Sequence, residues 1–267
     1  MTKDLQKRVI FGGIALLFFI PTVMVGGVFF QIVIGLIAML GVHELLQMKG
    51  LRTTTLEGIL AMLAAFVLTI PLDNYLKFLP VDGNVVAYSL VVFILLGSTV
   101  LGKHYSFEDA AYPIAASFYV GIGFNALLDA RIAGFDKVLL ALFIVWATDS
   151  GAYLVGRRYG VHRLAPHVSP NKTVEGSLGG IVSAVLVTFI FMLFDKNVAA
   201  PHHLPIMLLF AVFFSIAGQF GDLVESAIKR HFGVKDSGKF IPGHGGVLDR
   251  FDSMLFVFPL MHFFGLF

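Results

Sequence analysis

The chain of 267 residues is too apolar and too poor in charge for a soluble protein, since 57% of its residues are hydrophobic and 13% are charged. Soluble domains carry about 25% charged residues. This composition excludes a soluble enzyme, a disordered chain and a coiled coil, and the net charge of +2 gives no indication of a nucleic-acid partner. The absence of cysteine excludes disulfides, zinc-thiolate sites and a cysteine nucleophile. We therefore predict a membrane protein.

Apolar runs predict nine membrane-spanning helices, because a helix needs about 20 apolar residues to cross the bilayer. The first run is long enough for two helices, and Pro21, Gly26 and Gly27 predict a turn between them. The predicted spans are residues 9–48 (two helices), 56–72, 85–101, 110–129, 137–156, 173–194, 204–226 and 251–267. The predicted fold class is all-α and polytopic, with the first five helices in residues 1–135 and the last four in residues 136–267.

The distribution of Lys and Arg predicts that the N-terminus is cytoplasmic. With this orientation, 15 of the 19 Lys and Arg residues lie on the cytoplasmic side of nine crossings. The remaining four, on the outer side, are Lys77, Arg131, Lys137 and Lys196. Such an excess of cations on one side is what sets the orientation of membrane proteins.

Two acidic residues lie unusually deep in predicted spans. Asp149 is inside span 137–156, where an ionised carboxylate costs about 3 kcal/mol unless it has a partner, a cation or water. From the sequence alone, a hydrogen bond to a neighbouring helix explains Asp149 equally well. At the end of span 204–226, Asp222, Glu225, Ser226 and Lys229 share one helix face. A solvated helix end explains Lys229 and its neighbour Arg230 but not the deeper Asp222.

A glycine-rich segment leads the chain into the last predicted span. Gly243, Gly245 and Gly246 surround His244 and permit backbone conformations in which successive N–H groups face an anion. Asp249 and Asp252 follow three residues apart, and helix capping explains either one alone. Together with Asp222 they suggest Mg²⁺ held between carboxylates and substrate phosphates. The flanking cations are Lys229, Arg230, Lys235, Lys239 and Arg250.

Two further segments are interpreted structurally. Ser169 and Pro170 suit the start of a helix, Lys172 adds a cation, and Gly176 with Gly180 forms a GxxxG pair that allows close helix packing. His43 and Glu44 end the second predicted helix, and we interpret them as markers of the membrane interface.

Three elements of residues 226–252 form a recognisable signature: Ser226-Ala-Ile-Lys-Arg, then Lys235-Asp236, then Pro242-Gly-His-Gly-Gly-Val-Leu-Asp-Arg-Phe-Asp252. This pattern resembles the phosphatidate cytidylyltransferase family, also called CDP-diacylglycerol synthases. Residues 146–153, 169–176 and 221–225 also resemble family segments, whereas the first half of the chain matches only in hydropathy.

The resemblance implies a multi-pass enzyme of the inner (plasma) membrane, with a cytoplasmic active site formed by the helices and loops of residues 136–267. Such enzymes make CDP-diacylglycerol and pyrophosphate from CTP and phosphatidate, with Mg²⁺ and, as described for one member, a monovalent cation such as K⁺. The family suggests a homodimer. The implied metal ligands are Asp222 and Asp249. The implied catalytic residues are Asp222, Asp249, Lys229, Arg230 and His244. The implied substrate-binding residues are Asp149, Lys172, Lys235, Asp236, Gly245, Gly246, Arg250 and Asp252.

The chief alternative function is a transporter for an anionic solute. Transporters usually bind substrate at the membrane midplane between repeated halves, whereas no repeat is evident here and the deep acids lie on the cytoplasmic side. A second alternative, a CDP-alcohol phosphotransferase, would have a dense run of spaced aspartates on paired helices, which this sequence lacks. A purely structural membrane scaffold would not need so many buried acids.

Overall fold

The computed structural model describes residues 13–14, 17–75, 77, 82–101, 105–195, 198, 201–240, 243 and 245–267. The chain forms two compact units. Unit 1 comprises Met1–Leu128 and Asp236–Asp249, and unit 2 comprises Asp129–Lys235 and Arg250–Phe267. The segment Asp236–Asp249 therefore belongs with the first half of the chain by packing. Our division at residues 135 and 136 concerns function and stays a prediction.

Helices dominate the described parts of both units, and unit 2 also contains a short hairpin. In chain order the elements are α1 (Gly27–Met48), α2 (Leu56–Thr69), a 3₁₀ turn (Leu72–Asn74), α3 (Gly83–Leu101), α4 (Phe107–Ala133), α5 (Phe135–Tyr159), β1 (Arg163–Ala165), β2 (Ser169–Thr173), α6 (Val174–Phe194), α7 (Leu204–His231), α8 (Leu248–Phe251) and α9 (Met254–Phe263).

Six helices within the described residues are long and apolar enough to cross a membrane. They are Gly27–Met48, Gly83–Val100, Phe107–Ala133, Phe135–Tyr159, Val174–Phe194 and Leu204–His231. The prediction of an all-α polytopic membrane protein is therefore confirmed. The count of nine crossings and the cytoplasmic N-terminus stay predictions. The last predicted span is represented by α9, whose 10 residues extend about 15 Å, half the thickness of the hydrocarbon core.

The first long apolar run is broken where the glycines predicted a turn. Residues 17–25 are helical, Gly26 is not, and α1 begins at Gly27. Gly26 and Gly27 have φ angles of 64° and 60°. Residues other than glycine rarely adopt this backbone conformation. The predicted break between two helices is confirmed.

Helix α6 packs against α5 through its small residues. Its buried face carries Gly176, Gly180, Ala184 and Thr188 at intervals of four, whereas Leu178, Val182, Leu186 and Ile190 are exposed. In a membrane protein the exposed apolar face meets lipid, and small residues let two backbones approach closely. A Cβ atom on Gly180 would lie 2.8 Å from the Thr148 carbonyl oxygen of α5. The predicted GxxxG contact is confirmed.

Replacing Gly180 with Ala is expected to destabilise unit 2, because the nearest atom is a backbone oxygen that cannot rotate away. Overpacking of this kind typically costs about 1–3 kcal/mol. Thermal unfolding in detergent should show a lower midpoint than wild type. The matched control is Gly97→Ala in α3, where a Cβ would meet no atom within 4 Å. Equal midpoints for the two variants would contradict the close contact.

The hairpin corrects one expectation. Ser169 and Pro170 do not start a helix, because they lie in β2, which pairs antiparallel with β1 through Arg163 with Thr173 and Ala165 with Ser169. Helix α6 instead begins at Val174, and the Thr173 hydroxyl caps it by accepting the Gly176 N–H at 3.1 Å. The hairpin thus places Lys172 directly before a helix cap.

Candidate active site

Unit 2 contains a group of charged side chains that we call the acid cluster: Asp149 of α5, Lys172 of β2, Asp222 of α7, and Asp252 between α8 and α9. The Lys172 ammonium donates to Asp222 Oδ2 in an ion pair. Ser226 Oγ donates to Asp222 Oδ1 at 3.3 Å. Asp149 interacts electrostatically with both Asp222 and Lys172, and Asp252 interacts with Asp149 and Asp222. The four predicted site residues therefore come together in one place.

Glycines bring the elements of the acid cluster close to one another. A Cβ atom on Gly221, the residue before Asp222, would lie 2.6 Å from the backbone oxygen of Asp252. On the side of α5, Gly156 and Gly160 leave room for the Thr173 hydroxyl. A Cβ atom added to Gly156 or Gly160 would lie 3.0 or 2.6 Å, respectively, from the hydroxyl oxygen. Because Thr173 follows Lys172, this contact fixes the strand that carries the lysine.

The charge of the acid cluster favours a bound cation. Three carboxylates interact there, and the Lys172 ammonium forms its ion pair with only one of them, Asp222. Lys229 also acts on Asp252, but it forms an ion pair with Glu225. Carboxylate oxygens are the ligands that Mg²⁺ prefers, and Mg²⁺ is commonly held by one or two of them together with substrate phosphates. Within the described ranges, no three His, Asp or Glu side chains are arranged to hold a metal by themselves. A metal bound there would need substrate phosphates to complete its coordination.

Helix α7 carries the predicted polar stripe. Besides the contact between Asp222 and Ser226, Glu225 forms an ion pair with Lys229 one turn further on. Glu225 is fully buried and Lys229 is 9% exposed. Arg230 is exposed and donates from Nη1 to the Val234 carbonyl oxygen at 3.1 Å. The stripe is confirmed as geometry, whereas the catalytic roles of Lys229 and Arg230 stay predictions.

Unit 1 contains a second polar group, in the segment Asp236–Asp249, which we call the signature loop. Asp249 Oδ2 accepts hydrogen bonds from Ser237 N at 2.8 Å, Ser237 Oγ at 2.9 Å and Gly246 N at 2.8 Å. The loop turns through Gly243 and Gly245, with φ angles of 80° and 85°. Asp249 therefore organises the loop as well as being a predicted metal ligand.

Glu44, near the end of α1, accepts hydrogen bonds from the same loop. Its Oε1 accepts the Val247 N–H at 2.7 Å, and its Oε2 accepts the Leu248 N–H at 3.0 Å and the Ser237 hydroxyl at 2.8 Å. Glu44 is 4% exposed. A buried carboxylate with three donors is well satisfied, because each hydrogen bond to a charged acceptor is stronger than a neutral one.

Comparison with known proteins identifies the family. The model of the cytidylyltransferase family matches residues 6–267. The chain belongs to the cytidylyltransferase family. Three relatives named phosphatidate cytidylyltransferase, from Staphylococcus saprophyticus, Staphylococcus epidermidis and Staphylococcus aureus, are 42%, 42% and 39% identical to it. Each alignment covers 97% of this chain and 98% of the relative. The resemblance of the signature is confirmed, and it extends to the first half of the chain.

As a member of the cytidylyltransferase family the protein is a nucleotidyltransferase. Its predicted site residues lie in both units. Asp149, Lys172, Asp222 and Asp252 form the acid cluster of unit 2, whereas Asp249, Gly245 and Gly246 lie in the signature loop of unit 1. Lys235, Asp236 and Arg250 are exposed. His244 lies outside the described residues. The shared metal site of Asp222 and Asp249 stays a prediction.

Sequence reasoning about this cytidylyltransferase missed the role of Glu44. We interpreted Glu44 as a marker of the membrane interface, but it is a buried ligand of the signature loop. One signal could have found it, since a carboxylate within an apolar helix needs a partner, the argument that singled out Asp149. Because Glu44 is close to the end of its helix, exposure to water offered an easier explanation.

Proposed function

We propose that this protein transfers CMP from CTP to phosphatidate, forming CDP-diacylglycerol and releasing pyrophosphate. The observation that carries the proposal is the similarity over 97% of the chain to proteins named phosphatidate cytidylyltransferase. The acid cluster supports it, because carboxylates combined with a lysine suit a reaction between two phosphates. The transporter alternative gains no support from the comparisons.

In the proposed reaction an oxygen of the phosphatidate phosphate attacks the α-phosphorus of CTP. A new phosphorus–oxygen bond forms, and the bond from the α-phosphorus to the pyrophosphate oxygen breaks. The lipid phosphate is ionised at neutral pH and needs no general base, in line with a second phosphate pKa of about 6. We propose direct transfer, without a covalent enzyme intermediate, and a phosphate-binding role for His244.

Repulsion between the two substrates is the main barrier to be overcome. At 4 Å and an effective dielectric constant of 20, each pair of unit charges costs about 4 kcal/mol. We propose that Lys172 neutralises phosphate oxygens and that Asp222, with Asp249, binds Mg²⁺. When bound, Mg²⁺ would polarise the phosphoryl group and stabilise the departing pyrophosphate. The monovalent cation that the resemblance implies would lie beside it.

The setting of the proposed reaction follows from its substrates. CTP is soluble in the cytosol and phosphatidate has lipid tails, so we propose that the acid cluster lies at the cytoplasmic side of the plasma membrane. A homodimer remains part of the proposal because the family resemblance implies it.

The function is tested by supplying purified protein with CTP, phosphatidate and Mg²⁺. We expect equal amounts of pyrophosphate and CDP-diacylglycerol, and no product when Mg²⁺ is chelated. Failure of the purified, folded protein to release pyrophosphate would contradict the function, and solute flux in proteoliposomes without CTP turnover would favour the transporter. A cytidylyl-enzyme trapped by rapid quenching would contradict direct transfer.

A further inference from the structure

We propose that Glu44 is a positioning residue for the transferase reaction: its carboxylate fixes the signature loop and, through Ser237 and the backbone of Val247 and Leu248, sets the position of Asp249. This inference rests on the proposed function, because it assigns Asp249 to the active site. Glu44 itself would touch neither substrate.

Three groups of the signature loop donate hydrogen bonds to the side chain of Glu44. Val247 N, Leu248 N and Ser237 Oγ donate to its two oxygens at 2.7, 3.0 and 2.8 Å. An ionised carboxylate accepts hydrogen bonds at both oxygens and donates none. Glu44 is separated from these donors by 193 to 204 positions in the chain, so a helix near the N-terminus holds a loop near the C-terminus.

The same contacts lead directly to Asp249. Val247 and Leu248 are the two residues before it, and their N–H groups are held by Glu44. Ser237 Oγ lies 2.8 Å from Glu44 Oε2 and 2.9 Å from Asp249 Oδ2. A hydroxyl has one hydrogen, so the two carboxylates share this donor. Any displacement of Glu44 therefore reaches Asp249 by two routes.

The loop is shaped to fit this carboxylate. A Cβ atom on Gly238 would lie 2.5 Å from Glu44 Oε1, and a Cβ atom on Gly246 would lie 2.4 Å from both Glu44 oxygens. Both distances are shorter than any normal contact. The loop therefore approaches the carboxylate as closely as only glycine allows, which makes the position of the loop depend on Glu44.

The decisive variant is Glu44→Gln, which keeps the size of the side chain but turns one acceptor into an NH₂ donor facing other donors. We expect kcat per folded protein to fall ten- to hundredfold, the loss that a displacement of about 1 Å at an active site produces. The KM values for CTP and phosphatidate should stay within about twofold. Loss of an interaction that is made only in the transition state lowers kcat and kcat/KM equally, and therefore leaves KM unchanged. More Mg²⁺ should be needed for half-maximal rate.

The matched control is Glu108→Gln, the same change at an exposed residue in the first turn of α4. Its kcat should equal that of wild type. If Glu44 served stability alone, Glu44→Gln would lower the thermal midpoint while kcat per folded protein and the Mg²⁺ requirement stayed normal, and that result would overturn the proposal.

A double-mutant cycle with Ser237→Ala provides the second measurement. We expect the combined variant to lose less activity than the product of the two single losses, because both changes break one chain of contacts. Multiplicative losses would overturn the coupling. If Glu44→Gln does not fold, a normal kcat in Ser237→Ala would overturn it as well. An inactive wild type would instead refute the proposed function, so the two failures are distinguishable.

Discussion

Replacing Asp222 with Asn is expected to lower the rate of pyrophosphate release by about a thousandfold. The change keeps the shape of the side chain but removes the negative charge that pairs with Lys172 and interacts with Asp149 and Asp252. Loss of one close charge interaction of about 4 kcal/mol corresponds to a rate factor of about a thousand. The measurement is the initial rate with purified enzyme at saturating CTP and phosphatidate.

A control for Asp222→Asn is available in the same unit. Asp136→Asn makes the same isosteric change in the first turn of α5, 13 residues and therefore about 20 Å along the helix from Asp149. We expect Asp136→Asn to retain wild-type turnover. Normal turnover in Asp222→Asn, with the protein folded, would remove Asp222 from the proposed site.

The membrane fold was predictable from sequence because lipid imposes one simple rule on each segment by itself. A spanning helix must satisfy its own backbone and present apolar side chains, so the runs that contain α3, α5 and α6 were recognisable without knowledge of their neighbours. The hairpin before α6 was not predicted, because Ser169 and Pro170 are residues that also begin helices. What distinguished the two outcomes was pairing with β1, a contact outside the segment.

The sequence predicted several residues of the candidate site, but it did not predict which of them contact one another. Asp149 and Asp222 were recognised because charge inside a membrane helix is costly, and both lie in the acid cluster. The ion pair of Asp222 with Lys172 joins residues 50 positions apart. The local sequence around either residue does not indicate which distant residue it contacts. The contacts of Glu44 were unpredictable for the same reason, since its partners lie 193 to 204 positions away.

Replacing Gly246 with Ala is expected to lower kcat about a hundredfold while the protein remains in the membrane. The added Cβ atom would lie 2.2 Å from Ser237 Oγ and 2.4 Å from both oxygens of Glu44. Neither neighbour can move cheaply, because Ser237 and Glu44 are each 4% exposed and hydrogen-bonded to one another. The loop must therefore shift, and a shift of about 1 Å at an active site can cost a hundredfold in rate.

The effect of Gly246→Ala is separated from a general effect of alanine by Gly97→Ala, the same change in unit 1 at a position with open space around it. Gly97→Ala should match wild type in kcat and should not lower the thermal midpoint. The Gly246 N–H donates to Asp249 Oδ2 at 2.8 Å, so displacement of the loop should also raise the Mg²⁺ concentration needed for half-maximal rate. A folded Gly246→Ala enzyme with normal kcat and a normal Mg²⁺ requirement would show that the reaction does not depend on the position of the signature loop, and would place the proposed chemistry on the acid cluster alone.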